Sequence, residues 1–104
     1  MATDDYFIIV YKILNYLYEV LIDGRPTYCF EIQNDGSLVP IMKEKYWNTI
    51  IDNLISNGYI LENETKFLSN GKEYAREVTY SISKKGIKYM YLISDWIEAN
   101  LIML

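Results

Sequence analysis

The sequence predicts one domain of the α+β class, and three observations support this prediction. The chain has 104 residues, of which 51% are hydrophobic, so it can form a single modest core. Between Met42 and Ile60, apolar residues recur at helical spacing and a strand pattern follows. Asn70-Gly71, further along, is the residue pair most typical of a tight β-hairpin. A helix that passes through a glycine into a hairpin is typical of a winged helix-turn-helix domain.

This architecture predicts three N-terminal helices, a two-stranded β-hairpin wing and a C-terminal helix within residues 1–104. The first helix is expected to run to about Leu21, with Asp4 or Asp5 as its cap, because a carboxylate accepts the free amide protons of the first turn. Apolar residues occupy two faces of this helix, so it is either central to the core or shared with a partner chain. Gly24 and Pro26 end it.

The stretch from Tyr28 to Asn34 has two interpretations. Tyr28, Phe30 and Ile32 alternate with other residues, which is typical of a short strand. The helix-turn-helix order instead requires a short helix here, with Cys29 and Ile32 on one side, and we predict this second helix. Cys29 is the single cysteine, so the chain forms no internal disulfide, and we interpret it as a small buried apolar residue.

The next helix is predicted from its apolar face and its stop signal. Asn57-Gly58 ends it, because glycine adopts the left-handed conformation without a Cβ clash. Its polar face points away from the core. The apolar face consists of Trp47, Ile50, Ile51, Leu54 and Ile55.

A two-residue turn at Asn70-Gly71 fixes the register that we expect for the wing. It sets Glu64 opposite Glu77, which is unfavourable, so the strands are expected to separate or slip before that point. The predicted pairs are Phe67 with Tyr74, Asn63 with Val78, and Leu61 with Tyr80.

The C-terminal helix is predicted to cover residues 84–104. Ser83 caps it, and Gly86 in its first turn permits close packing on the wing strands. Its apolar residues cover more than one face, which a small domain does not bury alone, so we expect a homodimer. The predicted dimer interface consists of Tyr89, Leu92, Ile93, Trp96, Ile97 and Leu101.

Exposed residues of the central helix and the wing are the candidate nucleic-acid contacts. In a winged helix the helix enters the major groove, where Asn pairs with adenine and Lys with guanine or phosphate. Basic residues on the wing reach phosphates or the minor groove. The alternative is that these residues are ordinary solvated positions. The candidates are Lys43, Lys45, Asn48, Thr49, Lys66, Lys72 and Arg76.

Three segments resemble the YjcQ-like family of small bacterial and phage winged-helix proteins, within the MarR- and PadR-like winged helix-turn-helix superfamily. They are residues 11–19, residues 44–51 followed by residues 57–60, and residues 80–90. The last is similar to the Ile-Thr-x-x-Gly-x-x-Tyr-Leu segment that follows the wing in that family, with Ser83 in place of threonine. The resemblance implies a winged helix, and DNA binding follows from fold analogy.

Composition limits the possible functions. The chain has no histidine, glycine-rich phosphate loop, metal-ligand cluster or nucleophile–base pair, so we expect neither an enzyme nor a cofactor. It has no signal sequence or apolar run of membrane-spanning length, so we expect a cytoplasmic protein without membrane contact. Net charge is −4 overall, with −4 over residues 1–42, +2 over 43–88 and −2 beyond.

The sequence therefore predicts a homodimeric winged-helix protein that binds double-stranded DNA as a small transcriptional regulator. The small positive surplus lies in the helix-and-wing half, where this function requires it. The acidity of the whole chain favours an alternative from another class. In that alternative the protein is a winged-helix protein–protein interaction module, such as a phage-encoded inhibitor of a host protein.

Overall fold

The structure, a computed structural model, describes residues 3–25, 27–28 and 31–100. These residues form three helices and a three-stranded antiparallel sheet with strand order β1-β3-β2, which confirms the α+β class. The elements in chain order are α1 (Thr3–Asp23), β1 (Thr27–Tyr28), α2 (Glu44–Ser56), β2 (Ile60–Ser69), β3 (Lys72–Ile82) and α3 (Lys84–Ala99).

Helix α1 is the centre of the core. Its buried face combines residues from both predicted apolar stripes, among them Val10, Ile13, Leu14 and Leu17, and packs against α3 and β3. Leu21, the predicted end of the helix, is 49% exposed. The helix begins by Thr3, and the predicted caps, Asp4 and Asp5, have side chains outside the described part. Packing of this face, rather than capping, is therefore the visible source of its stability.

The predicted second helix is absent from the described residues, so the prediction of three N-terminal helices is wrong. The strand alternative is confirmed at Tyr28, because Thr27–Tyr28 is β1 and pairs with β3, with Thr27 opposite Tyr80. The β2–β3 hairpin is thus part of a three-stranded sheet at its base. The predicted burial of Cys29 lies outside the described residues.

Side chains satisfy the backbone of the segment where the helix was expected. The Glu31 carboxylate accepts a hydrogen bond from the Tyr28 amide at 2.9 Å. The Asn34 amide group accepts from the Met42 N–H at 2.9 Å and donates to the Met42 carbonyl at 2.6 Å. Such side-chain bonds compete with a helical ladder, so residues 32–43 run without helix or strand to the start of α2.

Helix α2 ends as the sequence predicts. Gly58 has φ 77°, its N–H bonds to the Ile55 carbonyl at 3.0 Å, and the Tyr59 N–H bonds to the Leu54 carbonyl at 3.0 Å. This pair of bonds is a Schellman motif, which requires the left-handed residue that glycine supplies. It turns the chain directly from α2 into β2.

The β2–β3 ribbon has the predicted turn and a register that slips close to it. Asn70 (φ 54°) and Gly71 (φ 77°) are the two left-handed turn residues. A bulge between Phe67 and Leu68 moves the register by one residue, so the three predicted pairs are wrong. The expected slip is confirmed, and it places Glu64 opposite Val78 instead of another carboxylate.

Helix α3 begins at the predicted cap. The Ser83 side chain accepts a hydrogen bond from the Gly86 N–H at 2.9 Å, and the Ser83 N–H donates to the Tyr59 carbonyl at 3.0 Å. A Cβ on Gly86 would lie 2.2 Å from that carbonyl oxygen and 2.8 Å from Ile82 Cγ1. The predicted close packing of Gly86 on the ribbon is confirmed.

Candidate nucleic-acid interface

The candidate residues of α2 lie on its exposed side. Trp47 and two later apolar residues turn toward the core, which leaves Lys43, Lys45, Asn48 and Thr49 exposed around the first half of the helix. The Thr49 hydroxyl donates to the Lys45 carbonyl at 2.8 Å. That proton is therefore satisfied within the helix, whereas the Asn48 amide group is available to a ligand.

An acidic cleft lies beside this helix start. It has a volume of about 340 Å³, and Asp35, Glu44 and Asn34 are among its lining residues. The Glu44 carboxylate accepts from the Asn34 side chain at 3.2 Å. A carboxylate in the first turn of a helix is favourable for the helix dipole, but it also reduces the attraction of that end for a phosphate.

The ribbon brings Lys66 and Arg76 together as partners across the two strands. Arg76 is not a free cation, because its Nε lies 2.8 Å from Glu64 Oε1 and 3.0 Å from Glu73 Oε1. The hydrogen bond that Arg76 donates to Glu73 and the charge of Glu64 raise the pKa of Arg76 above its ordinary value. Two carboxylates therefore offset the charge of Arg76.

Lys66 and Lys72 make no ion pair within the described part of the chain. Both are exposed, Lys72 directly after the turn. The ribbon as a whole carries three cations and four carboxylates, a net charge of −1. Of the candidate residues, the unpaired cations are consequently Lys66 and Lys72 on the ribbon, Lys43 at the cap of α2 and Lys45 in its first turn. The two groups lie on separate elements joined at the Gly58 turn.

The predicted dimer-interface residues differ in how far they are exposed. Ile93 and Ile97 are buried in the core of the single chain, and Leu101 lies outside the described residues. Leu92 is 66% exposed and Trp96 36% exposed.

Tyr89, also predicted at the interface, is half-buried and stacks on Tyr59 with ring centroids 4.2 Å apart. Burial raises the pKa of the Tyr89 hydroxyl. Its ring thus has a partner within the chain, whereas the predicted interface residues Leu92 and Trp96 are exposed.

An apolar groove of about 440 Å³ lies between α3 and the first turns of α1. The Phe7 and Trp96 rings meet in it with centroids 5.5 Å apart. Sequence reasoning did not place Phe7 at this surface, because contacts between distant segments leave no trace in local periodicity. Its lining residues are Phe7, Tyr89, Leu92, Ile93, Asp95 and Trp96.

A hydrogen-bond network around the half-buried Glu31 was also not predicted from the sequence. Its carboxylate accepts hydrogen bonds from the Tyr16 hydroxyl at 2.6 Å and from Arg25 at 2.8 Å, in addition to the Tyr28 amide. These bonds, that from Tyr16 first, lower the pKa of Glu31 against the opposing effect of burial. The network fastens the segment after α1 to α1, so its role is positional.

The described residues contain neither a cluster of metal-ligating side chains nor a membrane-spanning helix. No group of three or more Cys, Asp or Glu side chains among residues 3–25, 27–28 and 31–100 is arranged to hold a metal ion. No helix in the same residues has the length and apolar character needed to cross a bilayer.

Comparison with known proteins yields a fold likeness. No protein-family model matches the chain, and no curated protein matches it in sequence. A solved structure, the crystal structure of smu.1704 from Streptococcus mutans UA159, is similar with a TM-score of 0.56 and 21% sequence identity. The similarity covers 92% of this chain and 82% of that one. At this identity the likeness concerns the fold alone.

Proposed function

We propose that this protein is a winged-helix DNA-binding protein that acts as a small homodimeric transcriptional regulator. In this proposal α2 is the recognition helix and the β2–β3 ribbon is the wing. The order of α2, the Gly58 turn, the ribbon and α3 supports it, as does the resemblance of residues 44–51, 57–60 and 80–90 to YjcQ-like proteins. The missing second helix is replaced by the segment that Asn34 ties to Met42.

One observation carries the proposal: the exposed side of α2 and the ribbon hold lysines that the protein itself does not neutralise. Lys43, Lys45, Lys66 and Lys72 are exposed and form no ion pair among the described residues. Unpaired lysines near a surface attract phosphates and release counterions when DNA binds. The one cation that the ribbon neutralises, Arg76, contributes less to such a surface.

The contacts expected on DNA follow from side-chain chemistry. The Asn48 amide group matches the N6 and N7 edge of adenine in the major groove. Thr49 has its hydroxyl proton committed to its own helix, so its methyl group is the part that suits a thymine methyl. Lys43 and Lys45 suit phosphate or guanine, and Lys66 at the ribbon suits a phosphate beside the groove.

A second candidate is a protein–protein interaction module, such as a phage-encoded inhibitor of a host protein. The observation that favours it is the balance of charge. The ribbon has a net charge of −1 and the chain −4, and exposed carboxylates such as Glu19 and Asp35 could cover a basic surface of a host protein. In this alternative the lysines of α2 contribute nothing to binding.

A mobility-shift assay against DNA that flanks the protein's own gene separates the two candidates. We expect the wild type to shift a flanking fragment and Lys45→Glu to lose the shift. Lys12→Glu, the same charge change on α1, is the matched control and should bind as the wild type does. If no fragment shifts at low salt, while the protein forms a stoichiometric complex with a host protein after nuclease treatment, the second candidate replaces the first.

A further inference from the structure

The charges of α3 run against its own helix dipole. Its first turns carry Lys84, Lys85 and Lys88, and its last turns carry Asp95 and Glu98. A helix has a partial positive charge at its N-terminus and a partial negative charge at its C-terminus, so both groups are at the unfavourable end. Two of the lysines are also four residues apart, where like charges repel.

Four of these five charges have no ion-pair partner among the described residues. Lys84, Lys88, Asp95 and Glu98 are exposed and form no ion pair within the part of the chain that the structure describes. Lys85 differs, because its ammonium group donates to the Asn57 carbonyl at 2.8 Å and secures α3 to the end of α2.

The four unpaired charges share one face of α3. Met90, Ile93 and Ile97 turn into the core. Helical periodicity then places the four charges, together with Leu92, on the opposite face. Lysines occupy the first half of this face, carboxylates the second half, and the exposed Leu92 lies between them.

We infer that a second copy of this chain docks on this face, with the two α3 helices antiparallel about a two-fold axis near Leu92. This arrangement sets Lys88 against Asp95 of the partner subunit and Lys84 against Glu98 of the partner subunit. Two-fold symmetry repeats both pairs. A parallel arrangement would set lysine against lysine, so the charge order selects the antiparallel one. Antiparallel helices also align their dipoles favourably.

Exposed apolar side chains of α3 lie near the proposed two-fold axis. Leu92 is 66% exposed, and Trp96 lies one turn further on with part of its ring exposed. Both line the apolar groove between α3 and α1. A 16-residue helix is about 24 Å long, and packed helix axes lie about 8–10 Å apart, so the two helices can meet along most of α3. This inference rests on the homodimer of the proposed function and is independent of DNA binding.

Charge-reversal variants test the arrangement through the oligomeric state. The first variant, Lys84→Glu/Lys88→Glu, makes the face wholly acidic, and the second, Asp95→Lys/Glu98→Lys, makes it wholly basic. In sedimentation velocity we expect the wild type to be a dimer and each variant to self-associate about 30-fold more weakly, since four exposed ion pairs become repulsive. An equimolar mixture of the two variants should restore a one-to-one dimer.

The equimolar mixture distinguishes variants that have lost the interface from variants that have not folded, because misfolded chains do not form a specific one-to-one dimer. Matched controls carry the same charge changes elsewhere: Lys45→Glu/Lys66→Glu and Asp52→Lys/Glu62→Lys should dimerise as the wild type does. Leu92→Glu should also yield monomers, because it brings two like charges to the axis.

Three results would overturn the inference: a monomeric wild type at micromolar concentration, variants that dimerise unchanged, or a mixture that stays monomeric. The first result would also remove the homodimer from the proposed function. The second would leave a dimer that uses a different surface, and the third a dimer in which these charges do not pair with each other. DNA binding is measured separately, so its failure is distinguishable from all three.

Discussion

Gly86 determines how closely α3 approaches the rest of the molecule. Its Cα faces the Tyr59 carbonyl, so a methyl group there has no space. The sequence indicated this role, because a glycine in the first turn of a helix is unfavourable unless another segment packs against it. The neighbouring Ser83 cap was predictable for a similarly local reason, since serine at this position satisfies a free amide of the first turn.

Gly86→Ala is expected to lower the free energy of unfolding by about 2 kcal/mol. Alanine is the better helix former by about 1 kcal/mol, but the added Cβ would lie 2.2 Å from a backbone oxygen that cannot rotate away. Urea denaturation followed by circular dichroism measures the change. Asp52→Ala, an exposed substitution on α2, should change stability little. A Gly86→Ala protein as stable as the wild type would contradict the close contact.

Glu31 makes stability depend on pH in the acidic range. Its pKa is lowered in the folded state from the ordinary value of 4.5, chiefly by the Tyr16 hydrogen bond. The stabilisation is therefore complete above about pH 4.5 and is lost as the pH falls through the lower folded pKa. Glu31→Gln should remove about 1 kcal/mol at pH 7.

Comparing the two proteins across pH isolates this carboxylate. The difference in unfolding free energy between wild type and Glu31→Gln should shrink as the pH falls from 5 to 3. Glu19→Gln, an exposed carboxamide substitution on α1, is the control and should follow the wild type. A constant difference across this range would show that Glu31 acts without its charge.

At the scale of elements, the helix ends and turns that depend on neighbouring residues could be predicted from the sequence. The elements that depend on pairing between distant segments could not. Helix α2 ends at Gly58 and the ribbon turns at Asn70-Gly71 because these residues accept positive φ wherever the rest of the chain lies. Strand β1 exists because it pairs with β3 more than fifty residues later, and the alternation at Tyr28, Phe30 and Ile32 did not decide between a strand and a helix.

The ribbon also shows why counting basic residues in a sequence overestimates the positive charge that is available to a ligand. Sequence alone placed Arg76 and Lys66 as equal candidates near the tip. The bulge at Phe67/Leu68 shifts the register, and Arg76 then meets Glu64 and Glu73 on the same face. No rule for a regular two-residue hairpin anticipates that ion pair.

We therefore expect unequal effects from the two ribbon cations. Lys66→Ala should weaken DNA binding about tenfold and lower the salt dependence by about one phosphate contact per chain. Arg76→Ala should weaken binding by less, because its charge is already offset, and should change stability by less than about 1 kcal/mol. Fluorescence anisotropy with a labelled duplex measures both. Equal losses would contradict the neutralisation of Arg76.

At the scale of the whole molecule, the α+β class followed from composition and periodicity, whereas the use of its surfaces depends on charges brought together by folding. The chain is acidic, yet Lys43 and Lys45 stay unpaired beside α2 while the ribbon pairs its arginine internally. The groove that joins Phe7 to Trp96 likewise unites segments almost ninety residues apart. These arrangements require the folded chain.

Recognition of bases by α2 is the feature that distinguishes a regulator from a general phosphate binder. Asn48→Ala should weaken binding to a preferred duplex by about 1–3 kcal/mol and leave binding to unrelated DNA almost unchanged. Asn53→Ala, further along the exposed side of α2, is the matched control. Competition binding with specific and random duplexes gives both values. An equal loss on both duplexes would assign Asn48 to phosphate contact.

The central claim, that α2 and the ribbon form one cationic surface for DNA, is tested most directly by the salt dependence of duplex binding. For the wild-type dimer we predict that affinity falls about 10,000-fold over a fourfold rise in salt, as about four phosphate contacts from each chain require. Lys45→Glu and Lys66→Glu should each bind more weakly with a shallower slope, and Lys12→Glu should match the wild type. Binding that is absent at low salt, or that is unaffected by Lys45→Glu and Lys66→Glu, would contradict the claim.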